Sequence, residues 1–221
     1  MTRVPAAVDV VLPCLNEAAA LPAVLSQFPP GYRAIVVDNG STDGTAAVAA
    51  ALGATVLPEP HRGYGAAVHT GIEHASTDIV CVLDADGSMS PTVLPALVAP
   101  VATGRARLAV GRRIPAGRGV WPWHARAGNA LLAWLLRRRG LQVRDIGPIR
   151  AFRREDLLAL GVTDRGFGYP LELLIRAAEA GWSVSEVDID YLPRAAGTRS
   201  KVSGSVRGTL RAARDMTGVL R

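Results

Sequence analysis

Two aspartates separated by one alanine, Asp84-Ala85-Asp86, close an apolar run that begins at Ile79. Small and β-branched residues carry the chain toward an interior, and desolvating two like charges together at the end of such a run is costly. Packing gives no reason for them; a cation does. Both carboxylates can address one Mg²⁺ or Mn²⁺, and a divalent ion there calls for a phosphate-bearing ligand whose diphosphate it neutralises as a leaving group. Two more polar clusters follow apolar runs in the same way. Pro13-Cys14-Leu15-Asn16-Glu17 follows 8–12, and Asp38-Asn39-Gly40-Ser41-Thr42-Asp43 follows 34–37. Asp43 or Thr42 is placed to cap the next helix, while Asp38 and Asn39 are placed to pair with the polar edge of a nucleobase. Arg62-Gly63-Tyr64-Gly65-Ala66-Ala67 has glycines spaced somewhat like a dinucleotide loop, but it lacks the full pattern and does not follow the first strand.

Positioning these clusters requires a particular order of elements. Strands are expected over 8–12, 34–37, 54–57 and 79–83, and helices over 17–28, 42–52 and 91–101, with 61–75 a glycine-containing loop opening into a helix. Repeated strand–helix units with near-continuous apolar strands imply an α/β fold, a mostly parallel central sheet with helices on both faces. Ligands of such sheets lie outside the carboxyl ends of the strands, so the three polar clusters should converge on one rim. After 108–110 the texture changes. Residues 112–128, rich in Arg, Gly, Pro and Trp, read as a long surface loop, followed by a helix over 130–139, a strand over 149–152, helices over 154–160 and 171–180, a strand over 184–191, and a loop over 193–205. With no internal repeat or linker, the 221 residues read as a single domain, a nucleotide-binding half (1–111) joined to an acceptor half (112–221) that ends in a basic helix.

The net charge of +6 is unevenly spread. Residues 1–100 hold three arginines against nine acids, whereas 101–221 hold twenty-two basic residues against ten acids; Lys201 is the one lysine. A basic second half suits phosphorylated substrates or an anionic membrane surface. Nucleic acid is not expected, because no recognised binding module accompanies the charge. No apolar run approaches the ~20 residues of a membrane span, and no signal-peptide pattern opens the chain. Cys14 and Cys81 read as small core residues of a reducing compartment, which places the protein in the cytoplasm. Trp121, Trp123, Arg137-Arg138-Arg139 and the basic stretch 203–214 point to peripheral contact at the inner face of the membrane.

Taken in order, the motifs resemble the family 2 glycosyltransferases, and within them the dolichol-phosphate (polyprenyl-phosphate) mannose and glucose synthases. The resemblance runs from Val8 to about Ser205. Pro13-x-Leu15-Asn16-Glu17 is similar to the opening motif that contacts base and ribose, with Leu15 where an aromatic is usual. Val37-Asp38-Asn39 lies in a stretch similar to the second motif, with Asn39 in place of a second Asp. Gly63-x-Gly65-x-Ala67 is similar to the third, and Asp84-Ala85-Asp86 matches the motif that binds metal and diphosphate. Gly111-Arg112-Arg113 is similar to a Gly-x-Arg whose arginine reaches phosphate, Glu172-Leu173-Leu174 to the helix facing the acceptor, and Arg194-x-x-Gly197-x-x-Ser200-Lys201 to a late loop over the diphosphate. In that loop Arg194 and Arg199 both qualify for the phosphate role.

The resemblance implies a GT-A-type nucleotide-diphospho-sugar transferase fold. It implies metal-dependent, inverting transfer of a hexose from a UDP- or GDP-sugar to an acceptor, foremost a polyprenyl phosphate. Asp84 and Asp86 would hold the metal; Arg113, Arg194 or Arg199, and Lys201 would supply positive charge opposite. A lipid phosphate needs no general base. A small hydroxyl acceptor does, and then Glu172 is the first candidate and Asp145 the second. An i,i+4 ion pair with Arg176 would instead make Glu172 structural. Two other readings compete: a sugar-1-phosphate nucleotidyltransferase, which would need a Gly-rich phosphate loop after the first strand, and a catalytically silent nucleotide-binding relative.

Overall fold

In the computed structural model, which describes residues 7–195 and Gly218, seven strands form one sheet in the order β3-β2-β1-β4-β6-β5-β7. The first four are Val8–Cys14 (β1), Tyr32–Asp38 (β2), Thr55–Pro58 (β3) and Ile79–Val82 (β4), all mutually parallel where they pair. The rest are Leu108–Pro115 (β5), Arg150–Arg153 (β6) and Val184–Tyr191 (β7). Only β6 runs against its neighbours; β7 returns parallel to β5. Helices cover both faces as expected. Alternation along β1 sends Val11 to one face and Val10 and Leu12 to the other, and β4 divides Val80 and Val82 from Ile79 and Cys81 in the same way. The first face packs on helices Tyr64–His74 (α3), Arg154–Ala159 (α6), Tyr169–Glu179 (α7) and the end of Trp123–Arg138 (α5). Leu21–Leu25 (α1), Thr45–Ala51 (α2) and Leu94–Ala102 (α4) cover the second. Cys14 and Cys81 are buried on that second face and no disulfide joins them.

The acidic half follows its sequence pattern closely; the basic half departs from it. The expected loop 112–128 is a strand at one end and a helix at the other. β5 runs on to Pro115, held in register with β7 as far as Tyr191 and locked by a bidentate ion pair between Arg112 and Asp188. α5 starts at Trp123 rather than at residue 130. Near the N-terminus the helix expected from residue 17 is only Leu21–Leu25, because the Glu17 backbone N–H donates to Thr45 Oγ1 and draws residues 16–18 toward the 41–45 turn. The basic stretch 203–214 lies outside the described residues. Among the described residues no helix is long and apolar enough to cross a membrane.

Candidate active site

A cavity of about 780 Å³ opens at the carboxyl ends of the parallel strands. The sheet order lays out its walls. Asn39 follows β2, Pro13 to Glu17 end β1, Asp84 to Asp86 follow β4, Ile146 to Arg150 lead into β6, and Arg113 lies on β5. Of the residues singled out from sequence, Pro13, Leu15, Glu17, Asn39, Asp84, Ala85, Asp86, Arg113 and Arg194 line this one space.

Leu83 still bonds β1 through its N–H to the Val11 carbonyl, so Asp84 is the first residue free of the ladder. Burial, with the nearby Asp86 charge second, pushes the Asp84 carboxyl up to about 6, and the Tyr64 hydroxyl donates to its Oδ1 at 3.3 Å. Asp86 is 2% exposed. It accepts the Ser88 N–H at 2.9 Å and forms an ion pair with Arg194 at 2.5 Å, while its carbonyl accepts the Ala195 N–H. Two carboxylates with one side-chain donor each leave oxygen lone pairs for a hard divalent cation, whose other ligands would be water and diphosphate oxygens. The donor set fits the expected metal.

Arg113 lines the cavity but is committed to its own chain. Its Nε and Nη2 bond Asp145 at 2.9 and 2.7 Å, and its guanidinium lies over the Trp121 ring at 4.1 Å and the Tyr191 ring at 5.5 Å. Burial alone would raise the Asp145 carboxyl, but the Arg113 hydrogen bonds and charge outweigh it and hold the group below the ordinary range. Asp145 is thus a brace for Arg113 rather than an open base.

Glu172 is not brought to the cavity. Its carboxylate accepts the Thr163 N–H and hydroxyl, the Asp164 N–H at 2.6 Å and Arg176 Nε at 2.6 Å. Burial opposes ionisation, yet these donors hold its pKa below the usual value. Through these bonds Glu172 holds the 161–168 loop, the structural role that its i,i+4 pairing with Arg176 had left open. That loop sits directly on the glycines of residues 62–67. A Cβ at Gly63 would lie 2.1 Å from the Arg165 carbonyl oxygen, and Gly65 and Ala66 donate their N–H groups to Gly166 and Arg165. The first amides of α3 are therefore spent on the chain itself, so the segment is no phosphate cradle.

Other sequence candidates shape the rim without facing the cavity. Asn16, at φ 56°, accepts the Thr42 N–H at 2.8 Å, and Asp38 accepts the Ser41 N–H at 3.0 Å. Val37 is fully buried beneath the sheet, so its side chain offers nothing to a ligand. Asn39, although it borders the cavity, spends its amide on the Glu59 and His61 carbonyls and the Gly63 N–H. Arg199 and Lys201 lie outside the described residues. Sequence reasoning passed over Tyr64, Arg150, Asp164 and Phe167, all of which line the cavity. Arg150 carried a readable signal, a lone charge inside the apolar run 149–152.

The Glycosyl transferase family 2 profile matches residues 9–161, which contain β1 to β4 and the aspartate pair. The chain belongs to glycosyltransferase family 2. Along 97% of its length this family 2 transferase is 58% identical to an uncharacterized glycosyltransferase of Mycobacterium tuberculosis, covering 98% of that protein. It is 34% identical to the polyprenol monophosphomannose synthase of Mycolicibacterium smegmatis, over 89% of this chain and 81% of that one. Among solved structures, glucosyl-3-phosphoglycerate synthase from M. tuberculosis superposes with a TM-score of 0.76 at 28% identity, over 97% of this chain and 78% of that one, in a complex with phosphoglyceric acid. The same protein has been crystallised with Mn²⁺ and UDP-glucose (TM-score 0.76, 28% identity, 97% and 77% coverage). The GT-A-like fold and the transferase class follow, and the nucleotidyltransferase reading is set aside.

Proposed function

We propose that this transferase moves a hexose, with inversion, from a UDP- or GDP-sugar to a polyprenyl phosphate, acting in the cytoplasm as one domain. The observation that carries the reading is that one cavity holds both the carboxylates Asp84 and Asp86, with Arg194 ion-paired to Asp86, and the arginines Arg113 and Arg150. A Mg²⁺ or Mn²⁺ on the aspartates supplies charge neutralisation for the departing nucleotide diphosphate. Pro13, Leu15 and Glu17 border the base and ribose, with aliphatic contact from Leu15 in place of stacking. Arg194, paired with Asp86, is at hand to move onto phosphate, with Arg199 and Lys201 next along the chain. An acceptor phosphate is already an anion, so inversion at the anomeric carbon needs no proton acceptor, consistent with Glu172 and Asp145 both being occupied. Support also comes from the M. smegmatis relative, a polyprenol monophosphomannose synthase. The phosphoglycerate-bound neighbour favours a second reading, a small phosphorylated alcohol. That acceptor would require a base, and Asp164 lines the cavity for it.

A thermal-shift panel of UDP-, GDP- and dTDP-sugars with and without Mn²⁺ tests the donor. Metal-dependent stabilisation by one nucleotide sugar, absent in Asp86→Ala, supports the reading; stabilisation by nucleoside triphosphates alone defeats it. Membrane contact belongs to the same proposal. α5 exposes Trp123, Leu131 and Trp134, with Arg138 over the Trp134 ring at 5.0 Å, an apolar and cationic face suited to anionic headgroups. Co-sedimentation with phosphatidylglycerol vesicles at low salt is expected, and its absence removes that part.

A further inference from the structure

The cavity's arginines are not equivalent. Arg113 is paired with Asp145 and Arg194 with Asp86. Arg62 is exposed and reaches only the Gly40 carbonyl. Arg150 is 2% exposed, yet among the described residues no carboxylate lies within ion-pairing distance of it. Its Nη2 donates to the Ile146 carbonyl and its Nε has no hydrogen-bond partner. A buried guanidinium with one neutral acceptor is an expensive arrangement, and an unsatisfied buried N–H adds to the cost. Its electrostatic neighbours are the Tyr64 and Tyr169 hydroxyl groups and two carboxylates, Asp84, already allotted to a metal, and Asp145, already bonded to Arg113. The missing element is an anion that arrives with a ligand.

Position in the sheet says which ligand. Arg150 pairs across the ladder with Val82 of β4 and Val110 of β5. Asp84 lies two residues beyond Val82 on the same face, a diagonal neighbour. Arg150 is therefore one strand past the aspartate pair, on the side away from Leu15 and Asn39, and it lines the same cavity. A diphosphate held at Asp84 and Asp86 points its base toward β1 and β2, so the group beside Arg150 belongs to the acceptor.

We propose that Arg150 binds the phosphate monoester of the acceptor and selects phosphorylated acceptors over neutral alcohols, an assignment that rests on the glycosyl-transfer reading above. For a prenyl phosphate, an anionic phosphate oxygen forms the new bond to the anomeric carbon. The bond from that carbon to the nucleotide's β-phosphate oxygen breaks with its electron pair, and no proton changes hands. Arg150 holds the attacking group in place through the fork of its guanidinium.

Calorimetric titrations of wild type, Arg150→Met and Arg150→Lys test this. UDP or GDP with Mn²⁺ is added first, then citronellyl phosphate, inorganic phosphate, 3-phosphoglycerate or citronellol. Arg150→Met is expected to keep nucleotide affinity within about twofold while losing roughly 30-fold or more for citronellyl phosphate, with citronellol unaffected. Arg150→Lys, which keeps charge and length, should lose about tenfold and carries the test if the methionine variant does not fold. Tighter binding of citronellyl phosphate than of inorganic phosphate or 3-phosphoglycerate identifies a lipid source for the monoester; the reverse order identifies a soluble one. Unchanged citronellyl phosphate affinity in both variants overturns the assignment, as does an equal fall in nucleotide affinity, which would place Arg150 on the donor. Wild type that binds nucleotide with Mn²⁺ but no phosphate monoester removes this assignment alone; wild type that binds neither nucleotide removes the proposed reaction itself.

Discussion

Asp84 is half-buried at the cavity and Glu172 is buried away from it, and the chain treats the two carboxylates in opposite ways. Around Glu172 four donor groups converge, and its pKa falls; Asp84 accepts one hydrogen bond, from a tyrosine hydroxyl, and burial and the Asp86 charge outweigh the more distant Arg194 and Arg113, so its pKa rises to about 6. A carboxylate saturated by its own chain is a fastener. One left short of donors costs folding free energy and has use only for something that binds. The supply of donors, rather than burial or motif, separates the two roles.

The comparison can be broken at several points. Asp86→Asn should remove most of the charge that a metal and diphosphate require while keeping the Ser88 N–H bond, and glycosyl transfer should fall about 10³-fold or more in a steady-state assay. Retained turnover would put the ion elsewhere. The next effect has an unusual sign. Because the folded-state pKa of Asp84 lies above its unfolded value, that group favours folding when protonated and disfavours it as pH rises through about 6. Asp84→Asn should therefore stabilise the metal-free protein at pH 7.5 by roughly 1–3 kcal/mol, raising Tm by several degrees, and the gain should vanish below about pH 4. A lower Tm at pH 7.5 would contradict the picture of a donor-poor carboxylate. Glu172→Gln should give the smallest change, a loss of about 1–2 kcal/mol in urea unfolding at neutral pH. Its depressed pKa means that this contribution is present above the unfolded value and disappears as pH falls through the folded one. The pH profile of kcat should keep its shape in this variant; a lost acidic limb would restore Glu172 as a base.

Much of the acidic half is legible because its strands are buried on both faces and its turns are local. Val8 to Asp38 and the run into Asp84 announce themselves through apolar continuity, and the sheet order then brings their ends together. The basic half is harder to read because its partners are distant. Arg112 to Pro115 looks like a loop until β7, some 76 residues away, supplies the opposite edge and Asp188 meets Arg112. α5 hides for another reason: of its sixteen residues only Asn129, Ala133 and Leu136 are buried, too few for an apolar stripe. Asn39 shows a second role at a motif position that borders the cavity. An amide offers a donor end and an acceptor end, and the 59–63 loop presents two carbonyls and an N–H that match both. Arg150 was open to the reasoning that found Asp84, since a lone charge in a buried strand needs a counterpart whichever sign it carries.

The contact between residues 63–66 and the Arg165–Gly166 backbone is a fixed joint between two segments that border the cavity. Main chain meets main chain there, with glycine allowing the approach and two N–H groups closing it. Apart from the Tyr169 Cβ against Gly65, the closest approaches to these glycines are made by backbone. The junction between the start of α3 and the 161–168 loop is thus a property of the backbone, and substitution among the cavity's side chains leaves it in place.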